Sequence, residues 1–381
     1  MTTASYVHEF PQLERGIVHL NHAGVAPLPR RTADAIRRYA EIGSEGLASF
    51  DPEWYPAIEP IRRKAAEFVG GTADEIAFTK STTHGLTIVA LGVPWKEGDC
   101  IVVEQSTFPA NWYTWKVLEK EYGVRVIEWP ERDFRYDPAD LVQILKTHRV
   151  RMVSASAADY ATGFRHDLVK VGEITKAAGA LFCVDAIQVL GAMPLDVEAC
   201  RADFLSADAH KWMIGPEGTG VLYVRRSVLE TMKPLMVGWL GRKGFADYES
   251  RALVPDDTAR RFEEGSHSIV GIFGVGASIG LLMEVGLETV WQRIRRNRQV
   301  LLEGMEARGF EVLSPRDEAS SCGILTVRKA GVDPKVVAPR LVKERVMCGA
   351  RRGFLRFSPH FYLEREHLEE ALRRVDGVLA S

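Results

Sequence analysis

Disulfide chemistry finds little support in this sequence. Five cysteines (Cys100, Cys183, Cys200, Cys322 and Cys348) are scattered through 381 residues with no paired spacing. That excludes a disulfide framework and points to a reduced compartment, the cytoplasm. Charge of one sign is equally scarce. Lys and Arg number 49 against 51 Asp and Glu, for a net charge of −2. No field of that size draws the chain to nucleic acid or to an anionic membrane. No apolar run reaches the ~18 residues of a transmembrane helix. The start, Met1 to Ser5, lacks the charged-then-apolar pattern of a signal peptide. No cluster has the spacing of metal ligands, and no repeat or low-complexity tract is present. The Gly-x-x-x-x-Gly-Lys-Ser/Thr pattern is missing, and no Gly-x-Gly-x-x-Gly opens a helix after a strand in the first half. A nucleotide-binding reading rests only on the turn Ser81–Gly85 and the glycines near Lys211, and it stays as the alternative of a different class.

The composition is that of an ordinary globular enzyme. Hydrophobic residues make up 46% and charged residues 26%. The length suffices for a sizeable core in two lobes. Short apolar segments at Ile76–Thr79, Ile101–Glu104, Val124–Ile127, Arg151–Ser154 and Leu181–Val184 read as strands. Helical patterns such as Pro60–Gly70 and Leu86–Leu91 fall between them. That alternation predicts an α/β protein with a mostly parallel sheet covered on both faces. From about Ser268 a long helical stretch, with Leu281, Met283, Val290 and Ile294, leads toward a second lobe. Gly323–Val327 and Gly353–Phe357 are strand candidates there. Leu368, Leu372, Val375 and Leu379 mark a last helix by their spacing.

The most informative stretch runs from Ser206 to Gly218. Lys211 follows small residues and precedes Gly215-Pro216-x-Gly218. An amine attacks a carbonyl only when deprotonated, so such a lysine needs burial or a nearby cation. Upstream, the strand Leu181–Val184 ends in Asp185, 26 residues before Lys211. Open α/β sheets place ligand contacts at such strand ends. A Schiff-base lysine and a carboxylate for a pyridinium nitrogen are the pair that pyridoxal phosphate (PLP) chemistry requires.

The combination Val184-Asp185-Ala186-x-Gln188, Asp203-Phe204, His210-Lys211 and Gly215-Pro216-x-Gly218-x-Gly220 resembles the class V branch of fold-type I PLP-dependent enzymes. That branch holds cysteine desulfurases, kynureninases, isopenicillin N epimerases and several aminotransferases. The likeness runs from Leu20-Asn21-His22-Ala23-Gly24 to Phe354-Leu355-Arg356-Phe357-Ser358. It implies a large PLP-binding domain over 15–265 and a smaller α+β domain over 266–381, with residues 1–14 packing on the latter.

The resemblance also implies roles for particular residues. Lys211 would carry PLP and serve as the base at the substrate Cα, with Asp185 on the ring nitrogen. Thr82, Thr83 and His210 would hold the phosphate, although Ser81–Gly85 by itself reads rather as a plain helix cap. Phe108 would stack on the ring, as a Phe-Pro pair does in kynureninase-like relatives; desulfurases use histidine there. Gln188 would bond the ring oxygen. Asp208 stands where relatives often have serine, and its carboxylate would repel a phosphate unless turned toward His210 or an arginine. Gly265 and Ser266 would reach the phosphate of a neighbouring subunit, which implies a homodimer with shared sites. Arg356, with Asn21 and His22 nearby, would take the carboxylate of a small amino-acid substrate.

Asp159-Tyr160 occupies a region where relatives carry asparagine, which implies an altered pocket. Desulfurases attack sulfur with a loop cysteine upstream of the arginine. Here that interval, Val346–Gly353, is short and Cys348 falls in a strand-like run. Transamination is therefore the preferred reading. A C–S lyase or desulfurase comes next, then an epimerase, and a non-catalytic PLP-binding protein stays open beside the nucleotide alternative.

Overall fold

The computed structural model describes residues 5–46, 57–234, 236–266 and 268–380. Among them, seven strands form the main sheet: β1 Ile76–Thr79, β2 Cys100–Glu104, β3 Arg125–Trp129, β4 Val150–Ser156, β5 Leu181–Asp185, β6 Phe204–Asp208 and β7 Gly220–Val224. Their spatial order is β1-β7-β6-β5-β4-β2-β3. The strands β3, β2, β4, β5 and β6 are mutually parallel, while β7 runs antiparallel to both β6 and β1. Successive side chains leave a strand on opposite faces. Ile101 and Val103 accordingly enter one core and Val102 another; Cys183 enters the first, Phe182 and Val184 the second. Burial on both faces explains why these strands read as continuous apolar runs.

A second, antiparallel sheet holds β8 Glu311–Val312, β9 Leu325–Arg328, β10 Gly349–Arg351 and β11 Phe354–Phe357, in the order β8-β9-β11-β10. The long helical stretch expected after Ser268 is two helices, Ile269–Val285 and Leu287–Ala307, bent by 82° at the break. Gly286 sits at the break with φ +82°, a backbone state that a Cβ disfavours. Residues near the N-terminus meet the C-terminal part of the chain. Val18–His19 pairs in parallel with Val346–Met347, and Phe10 stacks on Tyr362 at 3.4 Å between ring centroids.

One buried ion pair ties three segments together. Arg62, on the helix Ile58–Val69, meets Glu263 at 2.6 and 3.0 Å, and its Nη1 also donates to the Ile76 carbonyl at 2.8 Å. Glu263 in turn accepts the Phe78 N–H at 2.8 Å. Removing one member of such a pair strands a charge away from water. Arg62→Ala is expected to cost about 3–5 kcal/mol, seen as a lowered urea midpoint. An unchanged midpoint would show that the pair contributes nothing to stability.

Candidate active site

Five strands of the main sheet deliver their carboxyl ends to one crevice. Asp185 ends β5 and Asp208 ends β6; Thr82, Phe108 and Tyr160 follow β1, β2 and β4 within a few residues. Ligands bind at this edge of open α/β sheets because the following loops and helix N-termini converge there. The crevice holds a cavity of about 410 Å³. Asn21, Thr82, Thr83, Phe108, Asp185, Gln188, Asp208, His210, Lys211 and Arg356 all line it. Ten positions spread over 336 residues thus meet in one place.

Burial sets the electrostatics. The Lys211 amine is pushed down to about 8, mainly by desolvation, although the Asp185 carboxylate opposes that shift. The free-base fraction at neutral pH therefore rises by about two orders of magnitude over an ordinary lysine. The Asp185 carboxyl is pushed up to about 6 by the same burial, against the Ile187 N–H, the Lys211 ammonium and Asn111. Its position is fixed on both oxygens. Oδ2 accepts from Asn111 Nδ2 at 2.7 Å and Oδ1 accepts from the Ile187 N–H at 3.1 Å. The Asn111 amide is itself oriented, since its Oδ1 accepts from Trp115 Nε1 at 3.2 Å and from Ser154 Oγ at 3.0 Å.

At the other end of the cavity stands the start of the helix Thr82–Gly92. Ser81 is the cap: its Oγ accepts the His84 N–H at 3.1 Å. The cap function thus falls on Ser81, and the first-turn N–H groups of Thr82 and Thr83 remain at the positive end of the helix. Thr82 Oγ1 accepts the Asp208 N–H at 3.0 Å, which locks this turn to β6. The Asp208 carboxylate is turned away from open space. Oδ1 accepts the Ala209 N–H at 2.8 Å, and Oδ2 lies 3.1 Å from His210 Nδ1, close enough for ion pairing but off a hydrogen-bonding direction. The repulsion expected of a carboxylate at this position is thereby reduced.

Phe108 presents an exposed ring 5.6 Å from the Lys211 Nζ and packs edge-on against Tyr160 at 5.2 Å. Gln188 accepts from Trp212 Nε1 at 3.1 Å and donates to the Ala23 carbonyl at 3.3 Å. Arg356 is 1% exposed. Nη1 donates to the Tyr160 carbonyl at 2.5 Å and Nη2 to Asn21 Oδ1 at 3.3 Å, while Nε has no partner. Desolvation, with Arg351 nearby, lowers its pKa to about 9. A buried guanidinium with no ion pair among the described residues is suited to an incoming carboxylate.

One expectation is corrected. His22 does not line the cavity: it is fully buried, with Nδ1 on the Ser358 carbonyl at 2.8 Å and Nε2 on the Tyr362 hydroxyl at 3.0 Å. Both ring nitrogens serve the packing between the N- and C-terminal segments. Gly265 and Ser266 line a separate cleft with Lys80 and His84 and do not reach the Lys211 cavity of their own chain. Cys348 is buried and burial pushes its thiol up to about 12, so it is no ready thiolate. Sequence reasoning gave no role to Asn111 or Arg351. The alternation of the 349–356 hairpin could have flagged Arg351; no local pattern flags Asn111.

The chemistry of this donor set fits PLP. An amine of depressed pKa, a buried carboxylate anchored on both oxygens, a helix start and a flat aromatic wall surround one cavity of about 410 Å³. No group of three His, Cys, Asp or Glu that could hold a metal occurs among the described residues. No single described helix is long and apolar enough to cross a membrane.

Comparison with known proteins agrees with the geometry. A probable cysteine desulfurase of Methanothermobacter thermautotrophicus is 30% identical, with 99% of each chain covered. The apo structure of a cysteine desulfurase from Thermococcus onnurineus superposes with a TM-score of 0.89 at 24% identity, covering all of both chains. A cystine C–S lyase in complex with cysteine persulfide gives 0.88 at 21%, covering 96% of this chain and 98% of the other. These two structures share the fold. The family model for aminotransferase class-V matches residues 18–362, so the chain belongs to the aminotransferase class-V family of PLP-dependent enzymes.

Proposed function

We propose that the protein is an aminotransferase acting at the Cα of a small amino acid. The observation that carries this is the meeting of Lys211, Asp185 and Arg356 in one cavity, each in the electrostatic state its task requires. When bound, PLP supplies the electron sink for the Cα–H bond. Arg356 orients the substrate through its carboxylate, backed by Asn21 and the Tyr160 carbonyl. Lys211 takes the Cα proton and can return it elsewhere, since its amine is basic but not permanently charged. Asp185 holds a proton on the ring nitrogen, with Asn111 and the Ile187 N–H preventing its rotation. Thr82, Thr83 and His210 would hold the phosphate, and Phe108 would cover the ring face.

The persulfide route has no reagent here. All five cysteines are buried, and Cys348 has its thiol pushed up. Cys348→Ala is expected to leave turnover of the best substrate unchanged; loss of about 10²-fold or more would restore the desulfurase reading. A lyase or desulfurase acting on a cysteine-type substrate stays as the second reading, because the 30% identical relative carries the name probable cysteine desulfurase.

The destination of the nitrogen decides between them. With ¹⁵N-labelled amino acids and an added α-keto acid, transamination moves the label to the keto acid. Elimination releases it as ammonia. Epimerisation leaves it on inverted substrate. Label found only as ammonia would overturn the aminotransferase reading.

We also propose a cytoplasmic homodimer, with Gly265 and Ser266 completing the partner's phosphate site; their position outside their own cavity supports it. A large lobe over 15–265 and a smaller one over 266–381 fit the two sheets.

A further inference from the structure

The rim of the cavity carries a second arginine that the reaction does not use. Arg351 lies on β10, one strand over from Arg356 on β11. In this hairpin Gly349 pairs with Arg356 and Arg351 with Phe354. Residues two apart on a strand share a face, and so do directly opposed residues. Gly349, Arg351 and Arg356 therefore present one face, and both arginines line the cavity.

Gly349 matters to this arrangement. A Cβ there would sit 3.8 Å from Arg356 Nη2, 3.9 Å from Arg351 Nη1 and 3.2 Å from Asn21 Oδ1. The missing side chain leaves a gap that both guanidinium groups flank. The next residue behaves differently. Arg352 is neutralised by a two-pronged pair with Glu131, at 3.0 Å on each side. Arg351 makes no ion pair among the described residues, and its Nη1 donates only to the Ala350 carbonyl at 2.8 Å. Arg356 likewise has no ion pair.

The acids of the region are already engaged. Asp185 serves Asn111 and the Ile187 N–H, and Asp208 faces His210. Asp159 is turned onto the Ala161 and Thr162 N–H groups and the Thr162 hydroxyl. One substrate carboxylate neutralises one guanidinium. Two unpaired guanidinium groups at one gap call for two carboxylates. We infer that Arg351 and Arg356 together select an amino-dicarboxylic acid, with the α-carboxylate on Arg356 and the side-chain carboxylate on Arg351 at the mouth. Arg351 is exposed, so its contribution is moderate and acts mainly on choice of substrate.

This inference rests on the amino-acid reading above. It is tested by calorimetry with succinate and butyrate, probes of equal length that differ in one carboxylate, on the protein with and without added PLP. Succinate is expected to bind about tenfold tighter than butyrate. Arg351→Ala should erase that difference while leaving butyrate binding intact, which also shows that the variant is folded. Arg351→Lys should keep part of it. Equal binding of the two acids by the native protein, or an Arg351→Ala variant that weakens both alike, overturns the inference. With PLP added, L-aspartate should alter the visible absorption at lower concentration than L-alanine does. A protein that shows no visible band after PLP is added would overturn the cofactor reading itself. A band together with equal succinate and butyrate binding would overturn only the role of Arg351.

Discussion

Lys211→Ala is expected to abolish the visible absorption band of the PLP-loaded protein and to lower turnover by about 10⁴-fold. Two separate tasks fall on this amine. In the proposed function it is the group that would bind the cofactor aldehyde and the proton carrier at the substrate Cα. Both need the neutral amine, and burial raises its share by pushing the pKa down to about 8. Asp185 keeps the shift from going further, so the amine still takes a proton readily. His210 is next along the chain, and its Nδ1 lies 3.1 Å from the Asp208 carboxylate. The measurement is a spectrum before and after borohydride, with steady-state turnover on the same samples. A band of native intensity in Lys211→Ala would place the attachment on another lysine. Partial recovery of turnover with added methylamine would separate the proton-carrier task from a purely structural loss.

Asp185→Asn is the second large effect. It should lower kcat by about 10²–10³-fold with a much smaller change in KM. The substituted amide keeps the volume and can still accept the Ile187 N–H, but its amino group would face the Asn111 Nδ2 donor, whose amide Trp115 and Ser154 hold in place. What it loses is the negative charge that keeps a proton on the ring nitrogen. That charge is available at neutral pH because the folded-state pKa, though raised by burial, is about 6. The sign of the stability effect follows. A raised carboxyl pKa means that folding disfavours the ionised form, so this group costs stability as the pH rises from about 4 through about 6. Relief of the buried charge favours the variant at neutral pH and the donor-to-donor contact with Asn111 opposes it, so a change of at most about 2 kcal/mol in stability should accompany a far lower activity. A thermal melt alongside kinetics checks both statements. An unchanged kcat would remove Asp185 from the mechanism.

Much of the site was legible before any coordinates. Lys211 and Asp185 stand in short, chemically unusual runs, and their tasks depend on residue type. Phe108, Gln188 and Arg356 were legible only through likeness to a family, because nothing local distinguishes a ligand-facing side chain from a core one. His22 shows the limit of that likeness. It sits one residue from Asn21, which does line the cavity, yet its ring turns into the core between Ser358 and Tyr362. The two residues stand in a turn, closed by the Gly24 N–H on the Asn21 carbonyl at 2.8 Å, and a turn sends successive side chains in different directions.

The sequence by itself determined the class of fold and the reactive pair. Apolar runs alternating with helical patterns admit few arrangements other than a covered parallel sheet. An amine and a carboxylate carry their chemistry wherever they are placed. Only the tertiary structure decided how those groups are tuned and held. Asn111 reaches Asp185 across 74 residues of chain. Arg351 becomes a rim residue through its register against Phe354. Cys348 is buried and its thiol pKa raised because Val346–Met347 and Gly349–Arg351 on either side of it are both strand. Burial and long-range pairing are properties of packing, and pKa and orientation follow from them, so they cannot be read from a residue and its neighbours along the chain.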